Sequence, residues 1–482
     1  MFRPSYSYRG QVLFVLAFFL VNLALWGFSV DKEVVTVSGK TYSLSTTYTE
    51  ASDGQRYWGT AMSLAEKGEF TMRDDDKIYE NEISHPPLSR AGPLPALFFS
   101  LPIKLVGLDR ASTLIVFLQC SLLFVMALAA RGIAEPFYAN KNLIQGLVLF
   151  NPNLIGLAHH AQSDILFACI FTLLLLIISK IIDKPTGLNL RLSIIVGLLA
   201  GLLPLARPLG AYCIIALPLF LFLVLWLKRK TEAIDWLKTL RLSLLSAVIS
   251  IIILTPWAVR NYLVFDQLAL TQSGAIQAQY YYRSLRAYGM PESNEAVHTY
   301  LVEHGHDPSC RESGTPGSGC ENAVRNAYLY LIVTAPKTIL IKALVAASGR
   351  TLLAGGTRNI TDYLGMQTAA EEYNRLANLG WRNIYRFLVD IAQIHPDYLF
   401  LFSITILFAA ITRGLGVLGL IQTISIPRCY AHTVFYLLVI VLFLSLNGFQ
   451  GWSRYRAPLE PILMLFCAMA FYRSIIYNNS TD

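Results

Sequence analysis

The stretch from Ile165 to Ile182, ILFACIFTLLLLIISKII, carries one charge, Lys180, in eighteen residues, and Ala161-Gln162-Ser163-Asp164 stands directly before it. As a helix it would rise roughly 27 Å, close to the ~30 Å hydrocarbon thickness of a bilayer. It is apolar on every side, so no face is left for water. Comparable stretches recur at 10–30, 111–130, 142–161, 192–206, 209–227, 242–258, 398–421, 430–446 and 459–476. The 482 residues are 54% hydrophobic and 15% charged, with a mean hydropathy of +0.48, so lipid is the solvent of the whole fold and not of a single anchor. The sequence therefore predicts an all-α polytopic membrane protein with about ten transmembrane helices. The range is about eight to twelve, because Pro204, Arg207 and Arg413 interrupt apolar runs. The first stretch is long enough to cross and has no small-residue cleavage site behind it, which reads as a retained helix.

Arg131 and Lys141, then Lys180, Lys184 and Arg191, then Lys228, Arg229, Lys230, Lys238 and Arg241 cluster between alternate stretches. Short basic loops of this kind face the cytoplasm. With Arg3 and Arg9 on that side, both termini are expected inside, and residues 31–110 form a large extracytoplasmic loop. Three regions follow. Residues 1–258 are a transmembrane module carrying that loop, 259–395 an extracytoplasmic or interfacial region, and 396–482 the closing transmembrane helices. The formal charge of +8 belongs mostly to the inner rim, where it meets anionic membrane lipids, and it argues for no nucleic-acid partner. The absence of a visible internal repeat counts against a secondary transporter built on repeats.

Five of the seven cysteines (Cys120, Cys169, Cys213, Cys429 and Cys467) lie in or beside apolar stretches, whereas Cys310 and Cys320 lie in a polar Gly/Ser/Pro stretch. A disulfide between these two would close a loop of about ten residues, contribute on the order of 3 kcal/mol and require an oxidising compartment. Two unpaired thiols in a loop are the alternative.

Within residues 31–110, the run from Asp53 to about Lys67 has Tyr57, Ala61, Leu64 and Ala65 at helical spacing and Gly68 behind it. That pattern predicts an amphipathic helix with Asp53 at its N-terminus. Pro93 to Val106 is apolar but short for a span and ends at Gly107-Leu108-Asp109-Arg110, which predicts a second helix lying in the interface. Asp53-x-x-x-Tyr57 opens the first helix, and Arg90-Ala91-Gly92-Pro93-Leu94-Pro95 leads into the second. Then come Ala161-Gln162-Ser163-Asp164, Ala206-Arg207-Pro208-Leu209, Pro256-Trp257-Ala258-Val259-Arg260-Asn261-Tyr262 and Ser453-Arg454-Tyr455-Arg456-Ala457-Pro458-Leu459-Glu460-Pro461. In this order they resemble the GT-C glycosyltransferases, in the protein-mannosyltransferase-like, family 39 branch close to the lipid A aminoarabinose transferases. Family members often carry Asp-Glu where this chain has Asp53-Gly54.

The resemblance implies transfer of one sugar from a polyprenyl-phosphate carrier to a glycan, lipid or protein acceptor, with inversion. The enzyme would be a multi-pass protein of a bacterial inner membrane with its active site on the periplasmic side. A hydroxyl or amine acceptor needs a positioned carboxylate to take its proton. Asp53 is the candidate base and Asp164 the second catalytic candidate, although Asp is also a favoured helix N-cap. A lipid-phosphate leaving group needs cations where its charge accumulates, and arginine binds phosphate through two N–H groups at once. Arg90, Arg207, Arg260, Arg454 and Arg456, at expected outer mouths of spans, are the donor-phosphate candidates, with snorkelling or pairing with local acids as their plainer roles. Tyr57, His85, His160 and Tyr455 are candidates for substrate contact.

No cofactor is required for this chemistry. A divalent metal is not favoured, because neither the acidic run Asp74-Asp75-Asp76, Glu80 and Glu82 nor His159-His160 with Asp164 is a specific ligand pattern. Two other readings compete, an O-antigen polymerase or ligase and a transporter or flippase of lipid-linked saccharides. The acid-bearing loop after the first span favours the transferase over the former, and the gathering of charges at the outer surface favours it over the latter.

Overall fold

The computed structural model describes residues 8–27, 32–37, 40–45, 52–71, 92–184, 189–229, 235–265, 270, 274–290, 293–307, 320–364, 366, 389, 393, 396–449 and 451–471. Helix α1 (Tyr8–Gly27) is followed by an antiparallel hairpin, β1 (Lys32–Val37) and β2 (Lys40–Ser45), with Lys32 opposite Ser45 and Val37 opposite Lys40. Helices α2 (Ser52–Lys67) and α3 (Pro93–Val106) come next, then α4 (Leu108–Ile133), α5 (Lys141–Leu149), α6 (Pro152–Ala158), α7 (Asp164–Asp183), α8 (Leu190–Ala206), α9 (Gly210–Lys228) and α10 (Trp236–Phe265). The second half holds α11 (Gly274–Arg286), α12 (Ser293–Glu303), α13 (Cys320–Val333), α14 (Lys337–Leu353), α15 (Thr357–Tyr363), α16 (Pro396–Ile424), α17 (Pro427–Leu446), a 3-10 segment at Ser453–Leu459 and α18 (Glu460–Met469). The fold is helical as expected. The hairpin is the departure from it among the described residues, in a stretch (Val34, Val35, Thr36, Thr41, Tyr42) rich in strand-forming side chains.

Six helices among the described residues are long and apolar enough to cross a bilayer: α4, α7, α9, α10, α16 and α17. Helices α13 and α14 make a bent pair at 99°, a seventh if they form one span, and α1, α3 and α8 are shorter apolar helices. The expected span 142–161 is corrected. It is two short helices, because Asn151 accepts hydrogen bonds on its side chain from the amides of Asn153 and Leu154 and Pro152 starts α6. A residue before proline is held out of the helical region, so the Asn-Pro step ends α5. At the far end of the chain, the part of 459–476 that is described forms α18, which ends at Met469. Helix α10 continues past residue 258 to Phe265, so the boundary expected there falls inside a helix.

Helix α7 is the centre of the bundle, with 78% of its apolar window buried against 11% for α10 at the rim. Its side chains Phe167, Phe171, Leu174 and Ile178 sit in the main core with Leu123 and Met126 of α4, Leu203 of α8 and Phe443 of α17. The α8–α10 seam uses small residues, as close packing of helices in lipid requires. A Cβ on Gly197 would meet Ser246 O at 2.7 Å, and one on Gly201 would meet Ile253 Cβ at 2.9 Å. Ser246 donates to Ser193 O at 2.8 Å and Ser250 to Gly197 O at 3.0 Å across the same seam.

The amphipathic α2 buries Tyr57, Trp58, Ala61 and Met62 against Phe99 and Ile103 of α3, Ile115 of α4 and Trp257 of α10. Gly68, at φ 77°, closes α2 with its amide on Leu64 O. Gly92, at the start of α3, lies so close to the Leu205 and Pro204 carbonyls of α8 that no side chain fits there. Helices α11, α12 and α13 have a small core of their own, built on Tyr282, Val297, Leu301, Ala327 and Tyr328.

Candidate active site

Asp164 opens α7, with no exposed side-chain surface. Three other segments converge on it. Helix α8 ends at Ala206, after Pro204, and Arg207 leaves in an extended conformation (φ −149°, ψ 138°), which turns its side chain back to Asp164. Arg207 Nη1 donates to Asp164 Oδ1. From the 3-10 segment, Arg454 Nε lies 3.4 Å from the same oxygen and its Nη2 3.4 Å from Oδ2. Oδ2 has this ionic contact but no hydrogen bond among the described residues. Both guanidiniums lie over the Tyr455 ring, at 5.4 Å for Arg207 and 5.9 Å for Arg454, and Trp452 stacks on that ring at 5.9 Å. The fourth segment is α2, whose Tyr57 hydroxyl donates to Ser163 Oγ at 3.1 Å.

The turn that carries this site is held from below. Gln119 of α4 donates to the carbonyls of Ala158 (3.2 Å) and His160 (2.8 Å). His160 Nε2 donates to the Asn359 carbonyl at 2.5 Å, a carbonyl oxygen having no proton to give. Asn359 donates to Asn153 Oδ1 at 3.0 Å, and Asn153 to Ser453 O at 3.2 Å, next to Arg454. Asn153, buried, and Asn359, half-buried, therefore join α6, α15 and the 3-10 segment. Buried polar groups satisfied in this way fix one arrangement of the surrounding backbone.

No family model and no curated protein matches the chain. Solved structures do. The archaeal oligosaccharyltransferase AglB from Archaeoglobus fulgidus, in complex with an inhibitory peptide and a dolichol-phosphate, matches 98% of this chain and 52% of its own, with a TM-score of 0.51 at 10% identity. The A. fulgidus oligosaccharyltransferase tethered to an acceptor peptide containing the NVT sequon matches 98% of this chain and 50% of its own, with a TM-score of 0.53 at 11% identity. The chain has the GT-C fold. It spans about half the length of those oligosaccharyltransferases. ArnT from Cupriavidus metallidurans, bound to undecaprenyl phosphate, matches 92% of this chain and 77% of its own at 17% identity with a TM-score of 0.37.

In this GT-C fold the residues singled out in the sequence divide into three groups. Asp164, Arg207, Arg454, Tyr455 and, through Ser163, Tyr57 come together. Three others stand apart from that cluster. Arg260 donates to Phe70 O at 3.1 Å and to Asn261 Oδ1 at 2.9 Å and lies over Trp257 at 4.7 Å, bracing the end of α2 against α10. Arg456 is 1% exposed and bound to Glu460 Oε1 at 2.5 Å and to the carbonyls of Thr351 (2.5 Å) and Leu352 (2.9 Å), while Arg413 holds the other oxygen of Glu460 at 2.7 Å. His160 is a strut of the supporting turn.

The third group falls outside the described residues: Arg90, His85, Cys310, the acidic run 74–82, and the side chain of Asp53, whose backbone lies in the first turn of α2. Cys320 is disulfide-bonded, and the five other cysteines named among the apolar stretches are free and buried. Among the described residues no three His, Cys, Asp or Glu side chains are grouped to hold a metal. Asn153, Asn359 and Trp452 were not singled out in the sequence as parts of the site, and Ser163 entered only within the Ala161–Asp164 motif, without a role of its own. Asn151-Pro152-Asn153 inside an apolar run was the one signal available, since amides at that depth are expensive unless paired.

Proposed function

We propose that this protein is a membrane glycosyltransferase that moves a sugar from a polyprenyl-phosphate carrier to an acceptor, with inversion and with Asp53 as general base. The observation that carries the reading is the 3.1 Å bond from Tyr57 to Ser163. Asp53 is four residues before Tyr57 on the same helix, an axial rise of about 6 Å. The helix that begins with an acid is thus docked beside two arginines gathered on one carboxylate, in a fold used by transferases acting at membranes. Base and phosphate-binding cations at close quarters are the equipment that direct displacement from a lipid phosphate needs.

In that reaction the Asp53 carboxylate takes the proton of the acceptor hydroxyl or amine. The acceptor atom forms a bond to the anomeric carbon while the bond from that carbon to the phosphate oxygen breaks. The electron pair leaves with the polyprenyl phosphate, whose charge falls on Arg207 and Arg454, with Arg90 as a third cation. Asp164 is enclosed and occupied by guanidiniums, so its part is to hold and orient the arginines and not to take the proton. Tyr455, lying under both guanidiniums, keeps their planes fixed. The donor is a polyprenyl-phosphate sugar, and the acceptor is a glycan, lipid or protein. On the basic-loop pattern the site faces the periplasm of a bacterial inner membrane with both termini in the cytoplasm.

Asp53→Asn is the test. Asparagine caps a helix about as well as aspartate but takes no proton. Turnover with polyprenyl-phosphate sugar and candidate acceptors should fall roughly 100- to 10,000-fold at equal folded concentration, with donor binding retained. Near-wild-type turnover would remove Asp53 as the base.

A further inference from the structure

Two hollows adjoin, one at the end of the bundle opposite Asp164 and one running from it towards the middle of the bundle. Helix α8 connects the two ends, running from Leu190 beside the hollows to Ala206 beside the arginines, about 25 Å along its axis and so close to the thickness of a bilayer core. The first hollow is a groove among α7, α8, α9 and α10, about 610 Å³ including its open part, walled by Ile178, Val196, Leu217, Leu221, Leu242 and Ala247. The other, about 640 Å³ including its open part, is formed by Asn189, Leu190, Asp235, Leu237, Lys238 and Arg241 and shares Leu242 with the groove.

We propose that the two together form a site for one anionic phospholipid of the leaflet opposite the candidate active site. Its headgroup phosphate would sit on Lys238 and Arg241 and one acyl chain in the groove. The two cations are three residues apart on α10 and therefore on one face. Lys238, Leu242, Ser246 and Ser250 continue at four-residue steps down the same helix. The Ser246 and Ser250 hydroxyls are turned onto backbone carbonyls of α8 and α10, which leaves the groove wall apolar in effect. Asp235, the acid at the headgroup end, accepts the Lys238 amide at 2.9 Å and caps α10. A headgroup of net negative charge satisfies both cations, whereas a zwitterionic one brings an ammonium towards them. Inorganic phosphate meets only half of the site, and an uncharged lipid only the other half. The proposal rests on the membrane fold and not on the transfer reaction.

Native mass spectrometry of the full-length protein in mild detergent, offered equal phosphatidylglycerol and phosphatidylethanolamine, tests it. The wild type should retain phosphatidylglycerol with about a tenfold preference, the scale of two cations acting near a headgroup. Lys238→Gln with Arg241→Gln should bring that ratio near unity. Ala247→Phe, which fills the groove, should reduce retention of phosphatidylglycerol without altering the cations, and Ser243→Leu serves if the first groove variant does not fold. Arg229→Gln is the control, because that guanidinium is stacked on Trp226 at 4.0 Å and lines neither hollow. The proposal is overturned if the double variant keeps the preference, if Arg229→Gln loses as much, or if excess inorganic phosphate displaces the lipid.

Discussion

Asp164 shows how a single buried carboxylate can organise a cationic site. With no exposed side-chain surface and guanidiniums on both oxygens, it makes Arg207 and Arg454 converge where their charges would otherwise repel. Removing one member of a buried ion pair costs about 3–5 kcal/mol, because the remaining charges stay desolvated. Asp164→Asn should therefore lower the thermal unfolding temperature in detergent well below that of the wild type, whereas Asp53→Asn should leave it unchanged. Equal melting of the two variants would contradict the proposed division between an orienting Asp164 and a proton-accepting Asp53. The arginines drew attention in the sequence because cations are disfavoured at outer mouths of short connections. Their shared partner was not legible, since Asp164 is 43 residues from Arg207 and 290 from Arg454. Nor was it legible that Arg454 and Arg456 face different ways. On a 3-10 segment with three residues per turn, side chains two apart point about 120° apart, and the sequence does not announce that this segment is 3-10.

At the scale of elements, hydropathy located α7, α9, α10, α16 and α17 well, because each is a single long helix whose apolar residues outweigh its few breaks. It failed at 142–161, where averaging over a window hides an Asn-Pro step that ends one helix and caps the next. Helices α2 and α3 were legible from period and punctuation, since Gly68 and Gly107 both adopt φ 77° at the ends expected of them. The α8–α10 seam was not, although Gly197 and Gly201 are four apart, because small residues mark a contact without naming its partner. Gly201→Leu would drive a side chain into Ile253 Cβ at 2.9 Å and Ser250 O at 3.0 Å. Overpacking of this kind costs typically about 1–3 kcal/mol. The expected outcome is a lower unfolding temperature with a loss of transfer, because Arg207 follows directly on the displaced helix. Full turnover in a destabilised Gly201→Leu protein would separate the seam from the site.

For the molecule as a whole, the basic loops predict that Lys40 and Ser318 are extracytoplasmic while Lys230 and Asp482 are inside. Single-cysteine labelling of intact cells with an impermeant reagent should modify positions 40 and 318 only. Labelling of position 230 in place of 318 would reverse the orientation and with it the side on which the donor is used. The disulfide at Cys320 bears on the same question, since such bonds persist in oxidising compartments. Peptide mapping under non-reducing conditions is expected to link it to Cys310, and recovery of Cys310 as a free thiol would refute that pairing.

The contact between Gly92 and Leu205 acts as a gauge. Gly92 is two residues after Arg90, and Leu205 is two residues before Arg207. Two residues of extended chain reach at most about 7 Å, so covalent geometry limits how far either arginine backbone can stray from the point where α3 and α8 touch. A junction that contains no charge and, at position 92, no side chain at all thereby places an upper bound on the separation of the two arginine backbones.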